Sequence, residues 1–595
     1  MDEPDASAGT RSAQARVSEL SCRARNLTRS PGQWACRLRP ALHSFAGLLP
    51  AMSRMPEHTR RRSLLSTARA GLVALVVGFA AAGCGGGDNA APGFTPPATG
   101  LYSWVLKTQG SAAAPRFGLS LIHPQEPGVE YLVEPPSAVL GDVRLVTTGS
   151  VEAVTARVTG LRAHTLLYVA AGDVRALPLD ANGSAPASRV RRAQSTTVCR
   201  FVEGIDANDH AQPFNSRFVL RTAGADGRCD SADDGQAELA LDSSGTPRLS
   251  SLSEGPLAAT RDPATLAPRG WIYANRVVFW TPPAGGVGST ANLRSAGEPA
   301  FTSVLLSAPN AALADDGQRL ALIDFGSAAS VSVRPLDSAL TGGGSWQPMG
   351  FDGDSFYAFR NSTNTNAGRW SVLKVVRASG SASVLAAGDG AISNTAMGTT
   401  RLYVSVLGLQ GNRLLSIGKS SPGQVQTLES TPGTTLSIVL ASANAVHQVF
   451  RAVNIGSASV GYAIEFIDEA GTRLYSTSTG GYPLLQPEAT TRFFNTSENR
   501  ARFVFVSGFG SRGFGDTTLI SYDTATRSAT TLGPLPGVSA FGQDIVYANT
   551  TSGPGSFFGL YVARLLDGSV QDTGAQVLSF EVGVANSLNA TTVQR

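Results

Sequence analysis

An all-β body is what this sequence predicts, and three observations carry the prediction. Glycine is abundant, at 65 of 595 residues, while charged residues make up only 15%. That balance suits short strands joined by many turns. Runs such as "TLLYVAAG" (165–172), "RLYVSVLGL" (401–409) and "RFVFVSGFG" (502–510) are rich in Val, Tyr or Phe and end at glycine, which marks them as strands. No stretch after residue 100 has the 3.6-residue apolar rhythm of a long amphipathic helix.

The strands recur in a regular way. A strand, a polar turn and an answering strand can be read in "LPLDANGSAPASRV" at 177, "LALDSSGTPRL" at 239 and "VVRASGSASVL" at 375. The same pattern is found in "SIGKSSPGQVQTL" at 416, "EFIDEAGTRLYS" at 465, "ISYDTATRSATTL" at 520 and "ARLLDGSVQDT" at 563. With Ser379, Ser420, Asp468, Asp523 and Asp567 as turn markers, the steps are 41, 48, 55 and 44 residues. A unit near this length, built of strands and hairpins, is what a β-propeller blade needs. One four-stranded sheet cannot cover both its faces alone, so sheets stack around an axis, and closure leaves few edges exposed. The expectation is therefore a β-propeller of about seven or eight four-stranded blades over residues 101–595. A β-sandwich array or a β-solenoid would show similar alternation and stands as the alternative. The run "YDTATRSATTL" (522–532) resembles hairpins of propeller repeats in bacterial surface and periplasmic proteins, although no WD dipeptide recurs.

Upstream lies a different kind of segment. Arg60, Arg61 and Arg62 precede a 14-residue apolar run from Ala70 to Gly83, followed by Cys84. A membrane-spanning helix needs about 20 apolar residues, so this run reads as an export signal over residues 52–84. Its end, Ala81-Ala82-Gly83-Cys84, resembles a bacterial lipobox, with Ala81 where leucine is commonest. The resemblance implies that Cys84 becomes the lipid-bearing first residue of the mature protein. Gly85 follows where a retention aspartate would stand, which implies sorting to the outer membrane, facing the periplasm or the cell surface. An export signal belongs near a start site, so Met52 or Met55 is the expected start, with residues 1–51 untranslated or disordered. Residues 85–100, "GGGDNAAPGFTPPATG", form a flexible Gly/Pro tether reaching roughly 20 Å on average.

Charge excludes one class of partner. The formal charge is +4, but residues 1–84 carry 12 Arg against 5 acidic residues, leaving 36 basic and 39 acidic groups after them. A nucleic-acid partner requires a concentrated basic surface, and no long basic run exists in that part of the chain.

In the mature chain Cys199 and Cys229 are the only cysteines besides Cys84. Export places them where disulfides persist, and a bond across 30 residues would contribute roughly 3 to 4 kcal/mol. Between and beyond them runs "GADGRCDSADDG" (224–235). Asp226, Asp230, Asp233 and Asp234 are carboxylates on a glycine-rich loop, the ligand type calcium takes. Set on an EF-hand template with Asp230 first, position 3 is Ala232 and position 12 is Leu241, so the template fails. The simpler reading is a polar turn in a disulfide-stapled insertion at 199–235. A nonstandard calcium loop is the alternative, and no cofactor is required.

The other motifs are weaker. "GFGSRG" (508–513) fits G-x-G-x-x-G, but a strand-like run follows it where a dinucleotide site needs a helix. His123, His164, His210 and His447 are scattered, with no H-E-x-x-H and no G-x-S-x-G serine. His210 beside Asp209 forms a conceivable acid–base pair, though a plain surface histidine is the simpler reading.

The function expected first is a lipid-anchored envelope protein whose noncatalytic propeller binds or scaffolds an envelope protein or polymer. A propeller-type enzyme of the lactonase, glycosidase or quinoprotein class is one alternative. A surface carbohydrate-binding or adhesion module is the other.

Overall fold

The computed structural model describes residues 103–583 apart from short stretches between strands, the longest being 180–189, 479–490 and 508–517. Cys84, the signal and the tether lie outside the described residues, as does the 508–513 motif. The elements flanking that motif, Ala501–Ser507 and Thr518–Asp523, are both strands of one sheet.

The described residues form ten four-stranded antiparallel sheets, against the seven or eight expected. Sheet 1 consists of Ser103–Ser111, Ala114–His123 and Glu126–Ser137, with the C-terminal strand Ser579–Gly583 paired beside the first of these. Sheets 2 to 10 follow in chain order, each a simple meander. They span residues 140–192, 198–252, 258–292, 303–335, 346–389, 391–431, 437–478, 491–533 and 540–577. At one end of the sheets lie the turns from first to second and from third to fourth strand. At the other end lie the turns from second to third strand and the links between sheets.

The seven hairpins read from the sequence are all third-to-fourth-strand turns, each in a different sheet. The aspartates at three of them act alike. Asp242 accepts the Ser244 and Thr246 N–H groups, Asp468 those of Ala470 and Thr472, and Asp523 those of Ala525 and Thr526. Such side-chain-to-backbone bonds close the turn without a full ladder. Gly245 and Gly471 follow with φ of +79° and +86°, a left-handed conformation that costs glycine little. Sheets 1 and 4 make the corresponding turn with "HPQEP" and "TPPAGG", which lack the marker, while "DFGSAAS" of sheet 5 carries it unread, Asp324 accepting the Gly326 N–H at 3.0 Å.

The runs at 165–172, 401–409 and 502–510 are all second strands, in sheets 2, 7 and 9. Second strands sit inside their sheets, and where the core is described both faces are covered. In sheet 6, Phe356 and Ala358 pack toward sheet 5 while Tyr357 and Phe359 pack toward sheet 7. In sheet 2, Leu166 and Tyr168 face sheet 1 while Leu167 and Val169 face sheet 3. Successive side chains thus feed two separate cores, which is why these strands read as nearly continuous apolar runs. Further cores lie between sheets 3 and 4, 4 and 5, and 7 and 8. Sheets 8 and 9 meet through Phe466 stacked on Tyr522 at 4.1 Å.

Acidic groups clasp neighbouring sheets at these seams. Glu238 of sheet 3 accepts from Trp271 Nε1 of sheet 4 at 2.5 Å and pairs with Arg217 of its own sheet. Glu134 of sheet 1 accepts from the Tyr168 hydroxyl of sheet 2 at 3.0 Å and pairs with Arg175. Each clasp satisfies a polar group that the seam would otherwise leave dry.

Candidate functional site

The most chemically suggestive stretch of the sequence closes one end of sheet 3. Residues 223–234 join its second strand, Arg217–Thr222, to its third, Gly235–Leu241. Cys199, one residue into the first strand (Val198–Ala207), is bonded to Cys229 in this loop, with the Cα atoms 5.5 Å apart. The 199–235 segment is therefore no insertion. It supplies two strands of the sheet and the hairpin between the second and third.

Three of the four aspartates, Asp226, Asp233 and Asp234, gather around the Ser231 hydroxyl at 3.4, 2.6 and 2.9 Å, while Asp230 turns away to Arg200. The Asp234 side chain, 1% exposed, accepts from Arg221 Nε at 2.6 Å, the Asp230 N–H at 2.9 Å and the Ser231 hydroxyl at 2.9 Å. Desolvation pushes its pKa up, but these donors outweigh it and hold the carboxyl down at about 2. Asp233 is also lowered, chiefly by the Ser231 hydroxyl at 2.6 Å. Asp226 accepts the Arg228 N–H at 2.8 Å, and Asp230 forms an exposed ion pair with Arg200 at 2.9 Å. Among the described residues no three acidic, histidine or cysteine side chains gather in a way that would hold a metal. The geometry is that of a turn satisfied from within: Gly227 sits at φ +67°, and a Cβ on Gly224 would collide with Asp233.

His210 lies at the opposite end of the same sheet, in the 208–216 loop. Asp209, 2% exposed, spends its carboxylate on other partners. Its carboxylate accepts the N–H groups of Ala211 and Gln212 at 3.0 Å and the Asn215 amide at 3.2 Å. His210 Nδ1 instead shares a 3.1 Å hydrogen bond with Thr147 Oγ1 of sheet 2, which also accepts from Asn208 Nδ2 at 3.0 Å. From sheet 4, Arg261 donates to the Asn208 carbonyl at 2.8 Å. Burial, followed by the Arg261 charge, lowers the His210 pKa to about 4. His210 is thus neither acid–base partner of Asp209 nor a plain surface histidine. It is a neutral link in a polar seam joining three sheets, and sequence reasoning missed it because its partners come from distant strands.

Similar seams continue along this end. Asp352, in the first turn of sheet 6, accepts from the Tyr357 hydroxyl at 2.9 Å and from Lys419 Nζ of sheet 7 at 3.4 Å. Glu469 of sheet 8 accepts the Thr399 and Thr400 N–H groups of sheet 7 at 2.6 and 3.2 Å. Between sheets 5 and 6 the seam opens into a cleft of about 410 Å³. Asn310, Asp324, Asp354, Ser355, Lys374 and Arg377 line it. Arg377 bonds Asn310 across the cleft floor and donates to the Asp352 and Gly353 carbonyls at 3.2 and 3.1 Å. Lys374 Nζ donates to the Lys419 carbonyl at 2.8 Å. No signal of this cleft is visible in the sequence, because its walls come from the turns of two separate repeats.

No family model matches the chain, and no curated protein does. Among solved structures, it is similar to an oligogalacturonate lyase in complex with manganese at 10% identity and a TM-score of 0.29, covering 72% of this chain and 98% of that one. It is similar to the dihydro-heme d1 dehydrogenase NirN at 11% identity and a TM-score of 0.31, covering 73% and 75%. A third likeness is to Porphyromonas gingivalis dipeptidyl peptidase 4, at 9% identity and a TM-score of 0.35, covering 73% of this chain and 59% of that one. Likenesses this remote bring no activity to the chain.

Proposed function

We propose that this chain is a lipid-anchored protein of the bacterial cell envelope whose propeller serves as a binding or scaffold module. The observation that carries the reading is the stitching of loops from sheet to sheet. Asp209, Asp352 and Glu469 spend their carboxylates on fixing turns and neighbouring sheets, so the turns stand as a rigid platform. A preordered surface binds without the entropy cost of ordering loops. The signal, Cys84 and the Gly/Pro tether supply the anchor, with the outer membrane as its destination. The acidic loop of sheet 3 acts as a stapled turn, and calcium is not needed for it.

The test is metabolic labelling of the full chain in a Gram-negative host with an alkyne fatty acid. The wild-type protein takes up label and fractionates with the outer membrane, while Cys84→Ser is unlabelled and released. An unlabelled wild-type protein, or a Cys84→Ser variant that stays labelled, overturns the anchor.

A further inference from the structure

We propose that sheet 2 takes up an extended acidic segment of a partner protein as an added strand, along the edge of its second strand at 157–163. The proposal rests on the binding-module reading and names the surface and the kind of partner.

The first argument is an unfinished ladder. The first two strands of sheet 2, Leu140–Glu152 and Arg157–Ala170, are paired out to Glu152 opposite Arg157. The third strand, Asp173–Pro178, pairs with the second only over 165–170. One further rung follows, the Leu179 N–H on the His164 carbonyl at 2.8 Å. Past that rung the first two strands run on as a two-stranded arm. Among the described residues, no strand pairs with the far edge of 157–163. A row of open N–H and C=O groups is a template for another strand, so the occupant that fits is an extended polypeptide in line with the third strand.

The second argument is that the arm is held in place. Its pairing shifts register three times between Gly141 and Ser150, and such bulges bend and twist a ribbon. Its first strand is fastened to the 208–216 loop of sheet 3. The Gly149 N–H donates to the His210 carbonyl at 3.1 Å, and Thr147 Oγ1 bonds both His210 and Asn208. A hairpin alone is marginally stable, but one tied along its first strand offers its second as a preordered edge. At the foot of that edge, Phe214 of sheet 3 meets the His164 ring edge-on at 5.0 Å and is still 38% exposed. It gives an arriving strand an apolar contact beside the backbone ladder.

The third argument is charge, which selects the partner. From Ala153 to Gly172 the chain carries no Asp or Glu. Arg157 stands opposite Glu152, but Arg162 stands opposite Thr148 and has no carboxylate across the ladder. The fourth strand, Arg191–Arg192, adds two cations on the same flank of the sheet. Opposite charges on neighbouring strands stabilise their pairing and like charges oppose it. A second copy of this chain would lay one arginine-bearing edge on another, whereas an acidic strand complements it.

The experiment uses the full chain and a labelled octapeptide of alternating Glu with Val or Thr, compared with its counterpart carrying Lys for Glu. Fluorescence anisotropy measures binding, and hydrogen-exchange mass spectrometry locates it. In the free protein the 157–163 segment should exchange fast, and the acidic peptide should slow it. The acidic peptide should bind more tightly than the Lys peptide. Arg162→Glu should weaken its binding by roughly fivefold or more, and Arg162→Gln by less. Melting curves confirm that both variants fold. Protection of 157–163 in the free protein, whether from its own chain or by self-association, overturns the open edge. Equal or tighter binding of the Lys peptide overturns the acidic partner. Peptide binding that leaves 157–163 unprotected overturns the arm while the binding module stands. Failure to bind either peptide overturns the arm, and labelling at Cys84 still reads the anchor independently.

Discussion

Removing the Cys199–Cys229 bond is the perturbation whose size follows most directly from the structure. The bond closes a loop of 30 residues that contains the first hairpin of sheet 3. In the chain-entropy account, freeing a loop of 30 residues returns about 3.6 kcal/mol of conformational freedom to the unfolded chain. The turn keeps its other fastenings, since Asp234 still holds Arg221 and Ser231. Cys199→Ala with Cys229→Ala should therefore fold, but with a stability lower by roughly 2–4 kcal/mol. Urea unfolding followed by tryptophan fluorescence is the assay. Trp271 is a suitable reporter because its Nε1 is bonded to Glu238 of the same sheet 3. The expected result is a lower midpoint with a slope no smaller than the wild type's, because the freed unfolded chain expands. Thiol titration under denaturant should count equal free thiols in the wild-type protein and the double variant. An unchanged midpoint, together with two extra free thiols in the wild-type protein, would refute the reasoning.

The remaining predictions concern the two ends of sheet 3. His210 is lowered from 6.5 to about 4 by burial and Arg261, so below pH 6.5 the unfolded chain takes up its proton first. Its contribution is therefore whole above pH 6.5 and is lost as the pH falls through about 4, a loss bounded at about 3 kcal/mol. Melting curves across this range should show a shallower pH dependence for His210→Gln, and identical profiles would remove His210 from the seam. Adding a calcium chelator should leave the melting temperature unchanged, because the four aspartates of the 224–235 turn are satisfied by Arg, Ser and N–H donors. A marked drop would restore the calcium-loop reading.

The features that were legible in the sequence are local ones. Asp242, Asp468 and Asp523 announce their turns because the bonds that close them reach only two to four residues ahead. The second strands of sheets 2 and 7 were readable because each is covered on both faces, which demands apolar residues at successive positions. Cys199 had one partner available. The sheet count was not read in full, since the turns of sheets 1 and 4 lack the marker and that of sheet 5, closed by Asp324 on the Gly326 N–H, stands among small residues with little strand pattern after it. The seams were hidden for a different reason. Lys419 meets Asp352 across 67 residues, Thr399 meets Glu469 across 70, and His210 meets Thr147 across 63. Such pairs come from successive sheets, so no short motif contains both partners. The aspartates of the 224–235 turn misled in the opposite direction, because Asp226, Asp233 and Asp234 crowd around the Ser231 hydroxyl while Arg221 and Arg200 take Asp234 and Asp230.

The central claim is that the sheets form one body in which the chain's last strand completes its first sheet. The register sets Leu106 opposite Glu581 and Lys107 opposite Phe580. Neighbouring antiparallel pairs alternate between closer and wider spacing, so the two cysteine pairs sample both geometries. Leu106→Cys with Glu581→Cys, and Lys107→Cys with Phe580→Cys, are therefore tested in turn under mild oxidation. Peptide mass spectrometry should find a disulfide joining the two ends of the chain in at least one variant, formed without aggregation and lost on unfolding. No cross-link in either variant, in protein that is otherwise folded, would contradict the closure by the C-terminal strand.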